Sequence, residues 1–290
     1  LAETRAAVDR VIESWCRRVL EEEDSPVTRA MAYALRSPGK RLRPALVAAA
    51  YRAVGGRGEV FELATAVEVI HCYSLVHDDL PCMDDDDLRR GRPTTHRAFG
   101  VPAATEAGYR MIPLAGRVLA EGARSLALAP ERVREMALEL FRAAGPRGMV
   151  GGQVLDLEAE GREASLEEIL AIHRAKTGAL IAASAVIGAI AGGAGKEKLD
   201  AIRAYGEALG VAFQIADDLL DITGTAAELG KAAGKDRERK KATFASALPL
   251  DEARAQAARY ADAAVAHLRR ADLDCSLLAP LAHLFVERRS

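Results

Sequence analysis

Aromatic residues are scarce in this chain. One Trp, six Tyr and six Phe make up 4% of its 290 residues. Cysteine is scarcer still: Cys16, Cys72, Cys82 and Cys275 are irregularly spaced and form no Cys-x-x-Cys pair. That excludes a disulfide scaffold and a thiolate zinc site, and it fits a reducing cytosol. Net charge is almost absent as well, at −2. The molecule as a whole exerts no pull on nucleic acid or an anionic membrane, so any polyanion must be met by a local basic patch. No run of alternating apolar residues is bounded by turn pairs, and no period of 20–50 residues repeats, which argues against β-sandwiches and solenoids. The first ten residues, LAETRAAVDR, lack the apolar core of a secretory signal. They also lack an initial Met, so residues before Leu1 are to be expected.

What the chain does have is Ala, Leu, Arg and Glu, with apolar residues recurring at helical spacing almost throughout. The pattern predicts an all-α protein. Helices are expected over about 3–23, 40–54, 59–83, 102–127, 131–143, 147–160, 166–192, 197–222, 251–270 and 277–287. Breaks fall at Ser37-Pro38-Gly39, Gly55-Gly56, Gly91 to Pro93, Gly145-Pro146, Gly192 to Gly195 and the polar run Gly224 to Lys241. None is long enough to split the chain, so residues 1–290 read as one large helical domain. The most apolar stretch, Thr177 to Gly195, is rich in Ala and Gly and reads as a buried helix, not a membrane span.

Charge is locally extreme in two places. Around FQIADDLLD, helical spacing puts Gln214, Asp217, Asp218 and Asp221 on one stripe of an otherwise apolar helix. Such a stripe is costly unless cations neutralise it. Hard divalent ions take oxygen ligands, and Mg²⁺ is usually held by one or two carboxylates plus substrate phosphates. A solvated face is the plain alternative. The second place is HDDLPCMDDDDLRRGRPTTH, where six aspartates fall within Asp78 to Asp87 and Arg89, Arg90 and Arg92 follow. His71, Ser74 and Asp78 share one helical face. Asp84, six residues beyond Asp78, is at the wrong angle on a regular helix. Pro81 cannot donate to the carbonyl of His77, so the helix should distort there and swing Asp84 round toward Asp78. Asp85 to Asp87 are expected to be solvated or paired with Arg89 and Arg90. Basic motifs accompany both clusters: GKRLRP at 39–44, Arg89-Arg90, HRAKT at 173–177, and the lysines of LGKAAGKD at 229–236. Acidic sites for Mg²⁺ together with several basic anchors describe a diphosphate site.

These motifs, with GGQVLDL (151–157) and KATF (241–244), come in the order found in trans-isoprenyl diphosphate synthases. The chain resembles that family, and within it the bacterial farnesyl diphosphate synthases. The resemblance implies a single bundle of roughly ten or more helices around a deep central cavity with the two aspartate motifs at its mouth, in a homodimer. It implies Mg²⁺, three ions in the substrate complex, with Asp78, Asp84 and Asp217 as principal ligands supported by Asp79, Asp218 and Asp221. Lys40, Arg43, His71 and Arg90 match positions that hold isopentenyl diphosphate. Arg89, Lys176 and Lys231 match those that hold the allylic diphosphate. Thr177 and Gln214 match positions whose dipoles lie beside the reacting carbons. The implied reaction condenses isopentenyl diphosphate with dimethylallyl or geranyl diphosphate and releases pyrophosphate, with loop 224–241 as a lid. The partners are thus small prenyl diphosphates, with no nucleic acid and no membrane span.

Tyr73 and Ser74, one turn before Asp78, should floor the product path and give farnesyl diphosphate. Geranyl and geranylgeranyl diphosphate are the alternatives, and Tyr73 could instead be core packing. One stretch departs from the family pattern: Tyr109 stands where Asp is expected and Gly116 where Phe is expected. Two other readings stay open, a class I terpene cyclase and a catalytically silent partner subunit.

Overall fold

The computed structural model describes residues 1–162, 164–223 and 243–287. Its chain order is α1 (Ala2–Glu22), α2 (Pro26–Leu35), α3 (Leu42–Ala53), α4 (Phe61–Asp78), β1 (Leu88–Arg89), β2 (Arg92–Pro93), α5 (Thr95–Phe99), α6 (Val101–Ser125), α7 (Pro130–Ala144), α8 (Met149–Ala159) and α9 (Leu166–His173). A π-helical turn (Arg174–Gly178) leads into α10 (Ala179–Ala191), followed by α11 (Lys196–Thr223), α12 (Phe244–Ala247), α13 (Leu250–Arg270) and α14 (Leu278–Glu287). The all-α expectation holds. The described residues form two compact units: Leu1–Ala48 with Gly58–Val133, and Ala49–Arg57 with Arg134–Ser290.

The first unit is built on the antiparallel pair α4 and α6. Gly122 and Gly108, four turns apart on α6, let the helices approach. A Cβ on Gly122 would lie 2.3 Å from the Leu63 nitrogen, and one on Gly108 would lie 2.1 Å from Nε2 of His77. α4 is buried from Leu63 to Ile70, with Cys72, Tyr73 and Val76 continuing its inner face. α2 has no counterpart among the expected helices. Its start is well marked: Ser25 and Thr28 make a capping box, and Pro26 is at the first helical position.

The second unit is centred on α10, buried from Leu180 to Ala191. α11 runs antiparallel to it. A Cβ on Gly210 would lie 2.5 Å from the Gly178 Cα, and one on Gly206 would lie 2.5 Å from the Ala182 Cα. On its other flank α11 packs against α13, whose Ala253, Ala257, Ala261 and Ala264 repeat at helical spacing and are buried. Residues 166–191 are long and apolar enough to cross a membrane, but 72% of the most apolar window is buried in the fold. That is the buried helix expected from the sequence. It is not continuous: the π turn interrupts it at Lys176 and Thr177.

Candidate functional site

In the first unit α4 does not run to residue 83. It ends at Asp78, and the chain then coils back on itself. The Asp84 N–H donates to the Asp78 carbonyl at 2.8 Å, Asp85 to Leu80 at 3.1 Å, and Asp86 to Asp79 at 3.3 Å. Asp85 takes a positive φ of 43° in this turn. Pro81 therefore stops the helix instead of bending it, and the return of the chain brings Asp84 beside Asp78.

A two-residue hairpin follows, pairing Leu88 with Pro93 and Arg89 with Arg92. Arg90 and Gly91 at its tip both have positive φ, 53° and 74°. That is the conformation a tight hairpin needs to match strand twist. Arg89 points inward and is gripped by two carboxylates. Its Nε and Nη2 lie 2.7 and 2.6 Å from Asp79 Oδ1, and Nη2 lies 3.3 Å from Asp86 Oδ2. Asp79 and Asp86 are buried. Burial raises the Asp79 pKa, with Arg89 opposing it. Asp85 and Asp87 are exposed, as expected, and reach Arg97, while Asp86 takes the expected pairing with Arg89. Arg90 reaches the loop before α3 and donates to the Pro38 carbonyl at 2.6 Å. Gly39 leaves room for it, since a Cβ there would lie 2.8 Å from Arg90 Nη1.

The same loop carries Lys40, and Arg43 lies in the first turn of α3. Arg41 between them turns into the protein at φ 53° and is 3% exposed. It pairs with Glu68 at 2.8 Å and Asp9 at 2.9 Å, and donates to the Ser37 carbonyl at 3.0 Å. Breaking a buried pair of this kind costs about 3–5 kcal/mol, so Arg41 is a strong anchor for the two basic residues beside it. Sequence reasoning missed Arg41 and Glu68, because nothing in GKRLRP says which cation turns inward. Burial first, then Arg43, Arg90, Arg89 and Arg41, drives the His71 pKa well below its ordinary value. A neutral imidazole among four guanidinium groups offers only positive field and hydrogen bonds, the requirements of a diphosphate. Ser74 Oγ donates to the His71 carbonyl at 2.8 Å. Tyr73 is 5% exposed, and burial pushes its pKa up to about 12. Its ring meets His77 edge-on at 5.6 Å, and His77 meets Tyr109 edge-on at 5.1 Å. The unexpected Tyr109 thus packs on the helix of the first aspartate cluster.

In the second unit the π turn sets the geometry. Gly152 on α8 lets that helix press on it: a Cβ there would lie 2.1 Å from the Lys176 nitrogen. One turn on, the buried Asp156 accepts from Lys176 Nζ at 2.6 Å. This gives GGQVLDL a role that sequence reasoning did not assign. Thr177 Oγ1 donates to Gln214 Oε1 at 2.7 Å, and Gln214 Nε2 donates to Asp218 Oδ1 at 3.0 Å. The Phe244 N–H donates to Asp218 Oδ2 at 2.8 Å. His173 stacks on the Phe244 ring at 5.4 Å, and burial lowers its pKa to about 4. Along the expected stripe Asp217 is exposed, while Asp218 and Asp221 are buried. Lys231 and the expected lid at 224–241 lie outside the described residues, apart from which each candidate is placed.

Among the described residues no three His, Cys, Asp or Glu side chains form a ready-made ion cage. The donor set still fits Mg²⁺, because every nearby candidate ligand is a carboxylate and that ion is commonly completed by phosphate oxygens and water.

A sequence model of polyprenyl synthetases matches residues 24–272. The chain is 41% identical over 290 residues to a farnesyl diphosphate synthase of Geobacillus stearothermophilus, covering 99% of this chain and 96% of that one. Its fold resembles the crystal structure of an FPP/GFPP synthase from Zymomonas mobilis, with TM-score 0.82, 37% identity and coverage of 98% and 99%. It also resembles a geranyltransferase from Helicobacter pylori complexed with magnesium and isoprenyl diphosphate, with TM-score 0.80, 28% identity and coverage of 97% and 96%. This chain belongs to the polyprenyl synthetase family and is a prenyltransferase.

Proposed function

We propose that the enzyme joins isopentenyl diphosphate head-to-tail to dimethylallyl or geranyl diphosphate, releasing pyrophosphate, with farnesyl diphosphate as the main product. The observation that carries this is the arginine-rich surround of His71 in a chain that also holds two carboxylate clusters. One anion pocket and one ionising site are what a two-substrate condensation requires. Lys40, Arg43, His71 and Arg90 hold isopentenyl diphosphate, while Arg89, Lys176 and Lys231 hold the allylic diphosphate. Asp78, Asp84 and Asp217 would hold Mg²⁺, with Asp79 and Asp221 as supporting candidates. Three Mg²⁺ ions, when bound, neutralise the leaving pyrophosphate.

The protein's own part begins with positioning. Lys176, restrained by Asp156, offers its ammonium to the allylic diphosphate as charge develops there. Thr177 and Gln214 present oxygen dipoles that stabilise an allylic cation without being strong nucleophiles. The isopentenyl double bond then attacks that cation. A proton leaves the new chain, with the departing pyrophosphate as its acceptor. Water would quench the cation, so the reacting carbons must be enclosed.

The family match runs through both units, which supports treating residues 1–290 as one synthase domain. We read the enzyme as a homodimer: Leu138 and Phe141 on α7 are exposed and line a cleft of about 1400 Å³ in the second unit. Its four cysteines are unpaired, as suits the cytosol. Pyrophosphate release is the test. A synthase releases it only when isopentenyl and allylic diphosphates are both present with Mg²⁺. Release from the allylic substrate alone would identify a terpene cyclase, and no release would identify a silent subunit. The same assay, with products resolved by length, tests the floor at Tyr73. Tyr73→Ala should shift product toward geranylgeranyl diphosphate and beyond, and an unchanged profile would leave Tyr73 as core packing.

A further inference from the structure

We propose that Asp218 is a positioning residue, which fixes the amide of Gln214 with its carbonyl oxygen beside Thr177, and is not a metal ligand. This rests on the prenyl-transfer reading. Asp218 is 4% exposed, and each of its oxygens accepts from a protein N–H: Oδ1 from Gln214 Nε2 at 3.0 Å, Oδ2 from the Phe244 backbone at 2.8 Å. An ionised carboxylate only accepts, so it must face the NH₂ end of the amide. The other end, Oε1, is thereby turned to the Thr177 hydroxyl at 2.7 Å. A hydroxyl can donate or accept, so the carboxylate alone chooses between the two amide orientations, and the Thr177 contact accommodates that choice.

The choice matters for the chemistry. A carbonyl oxygen beside a developing allylic cation lowers its energy, whereas an NH₂ group in the same place raises it. The neighbouring Asp217 is exposed, whereas Asp218 is buried. Adjacent residues of one acidic motif therefore divide the work: Asp217 serves the ion and Asp218 serves the dipole. Phe244 adds a second tie. Its N–H holds Asp218 Oδ2, which also lies 3.5 Å from His173 Nε2, and its ring stacks on His173 at 5.4 Å.

A double-mutant cycle tests this. Asp218→Asn can keep the Phe244 bond only by turning its own NH₂ toward Gln214, which forces the Gln214 amide to flip. Its kcat should fall about tenfold or more, with KM for both diphosphates unchanged. In a Gln214→Ala background the same substitution should cost less than about twofold, because the group it acts through is gone. Calorimetric titration of Mn²⁺ with inorganic pyrophosphate gives a readout apart from turnover. Asp217→Asn should weaken binding and Asp218→Asn should leave it intact. Equal weakening by both variants, or a full multiplicative loss in the double mutant, would overturn the proposal. If Asp218→Asn does not fold, Asp218→Glu, which keeps two acceptors but displaces them, goes through the same cycle with the same criteria. Failure of the wild type to condense the two substrates would instead refute the prenyl-transfer reading itself.

Discussion

The two acidic clusters look alike in sequence and are built differently. The first lies where a helix has ended. Its aspartates are held by backbone bonds that coil back on α4 and by guanidinium groups: Asp79 and Asp86 by Arg89, Asp85 and Asp87 by Arg97. The second lies on an unbroken helix. Its surroundings are dipoles, Thr177 and Gln214, with one lysine whose charge is already matched by Asp156. The first arrangement suits binding and discharging an anion. The second suits tolerating a positive charge on carbon. Two motifs with nearly the same letters can therefore serve opposite signs of charge, and what decides is the company each keeps.

Removing one proposed metal ligand from each cluster is the strongest way to break this comparison. Asp78→Ala and Asp217→Ala should each lower turnover by at least about 10²–10³, the typical cost of losing one stabiliser of a developing anion. If both variants kept near-normal turnover at saturating Mg²⁺, neither cluster would be serving an ion. A smaller effect separates the anion pockets. Lys40→Ala and Arg43→Ala should raise KM for isopentenyl diphosphate about tenfold, as expected for about 1.4 kcal/mol of lost binding, with little change for the allylic substrate. Lys176→Ala should do the reverse and also reduce kcat, if its ammonium meets the leaving group as proposed. Steady-state kinetics with each substrate varied in turn would show it. Equal effects of all three on both substrates would merge the pockets into one.

Much of this was legible in the residues. Helical periodicity gave the helix class, and the spacing of Gln214, Asp217, Asp218 and Asp221 gave the stripe. Pro81 signalled a distortion near Asp84, but not that the helix would end at Asp78. Two kinds of feature were not legible. The hairpin at Arg89 to Arg92 escaped because Arg-Gly is not a usual tight-turn pair, and positive φ at Arg90 is imposed by contacts such as its bond to the Pro38 carbonyl. The π turn escaped because Arg-Ala-Lys-Thr-Gly reads as ordinary helix, and the close approach of α8 at Gly152 is a tertiary contact. The buried partners were hidden for a similar reason. Glu68 and Asp156 sit in apolar helical patterns, and only tertiary packing shows that each neutralises a cation. α2 is different, since Ser25-Pro26 with Thr28 is a readable start signal that periodicity alone overlooked.

The gentlest test uses pH and one histidine from each cluster. His71 and His173 have pKa values lowered in the folded protein, His71 by burial and four arginines and His173 to about 4 by burial. In the unfolded chain both titrate near 6.5. Above that pH neither state binds the proton, and the full stability is present. As pH falls below about 6.5 the unfolded chain takes up protons that the folded protein refuses, so each histidine costs stability, by about 1.4 kcal/mol per pH unit at most. For His173 the loss runs down to pH about 4. Asp79, with its pKa raised by burial, works in the opposite sense, so the comparison is between variants and not between absolute slopes. Denaturant unfolding between pH 7.5 and 5 should therefore show a shallower loss for His71→Gln and for His173→Gln than for the wild type. Inorganic pyrophosphate then distinguishes the clusters. Bound at Arg43 and Arg90 as proposed, it would cancel part of the field that holds His71 neutral, and it should flatten the share of the slope that His71→Gln removes. The share removed by His173→Gln comes mainly from burial and should persist. Equal flattening of both shares would mean that the two clusters do not differ in the way their neighbours suggest.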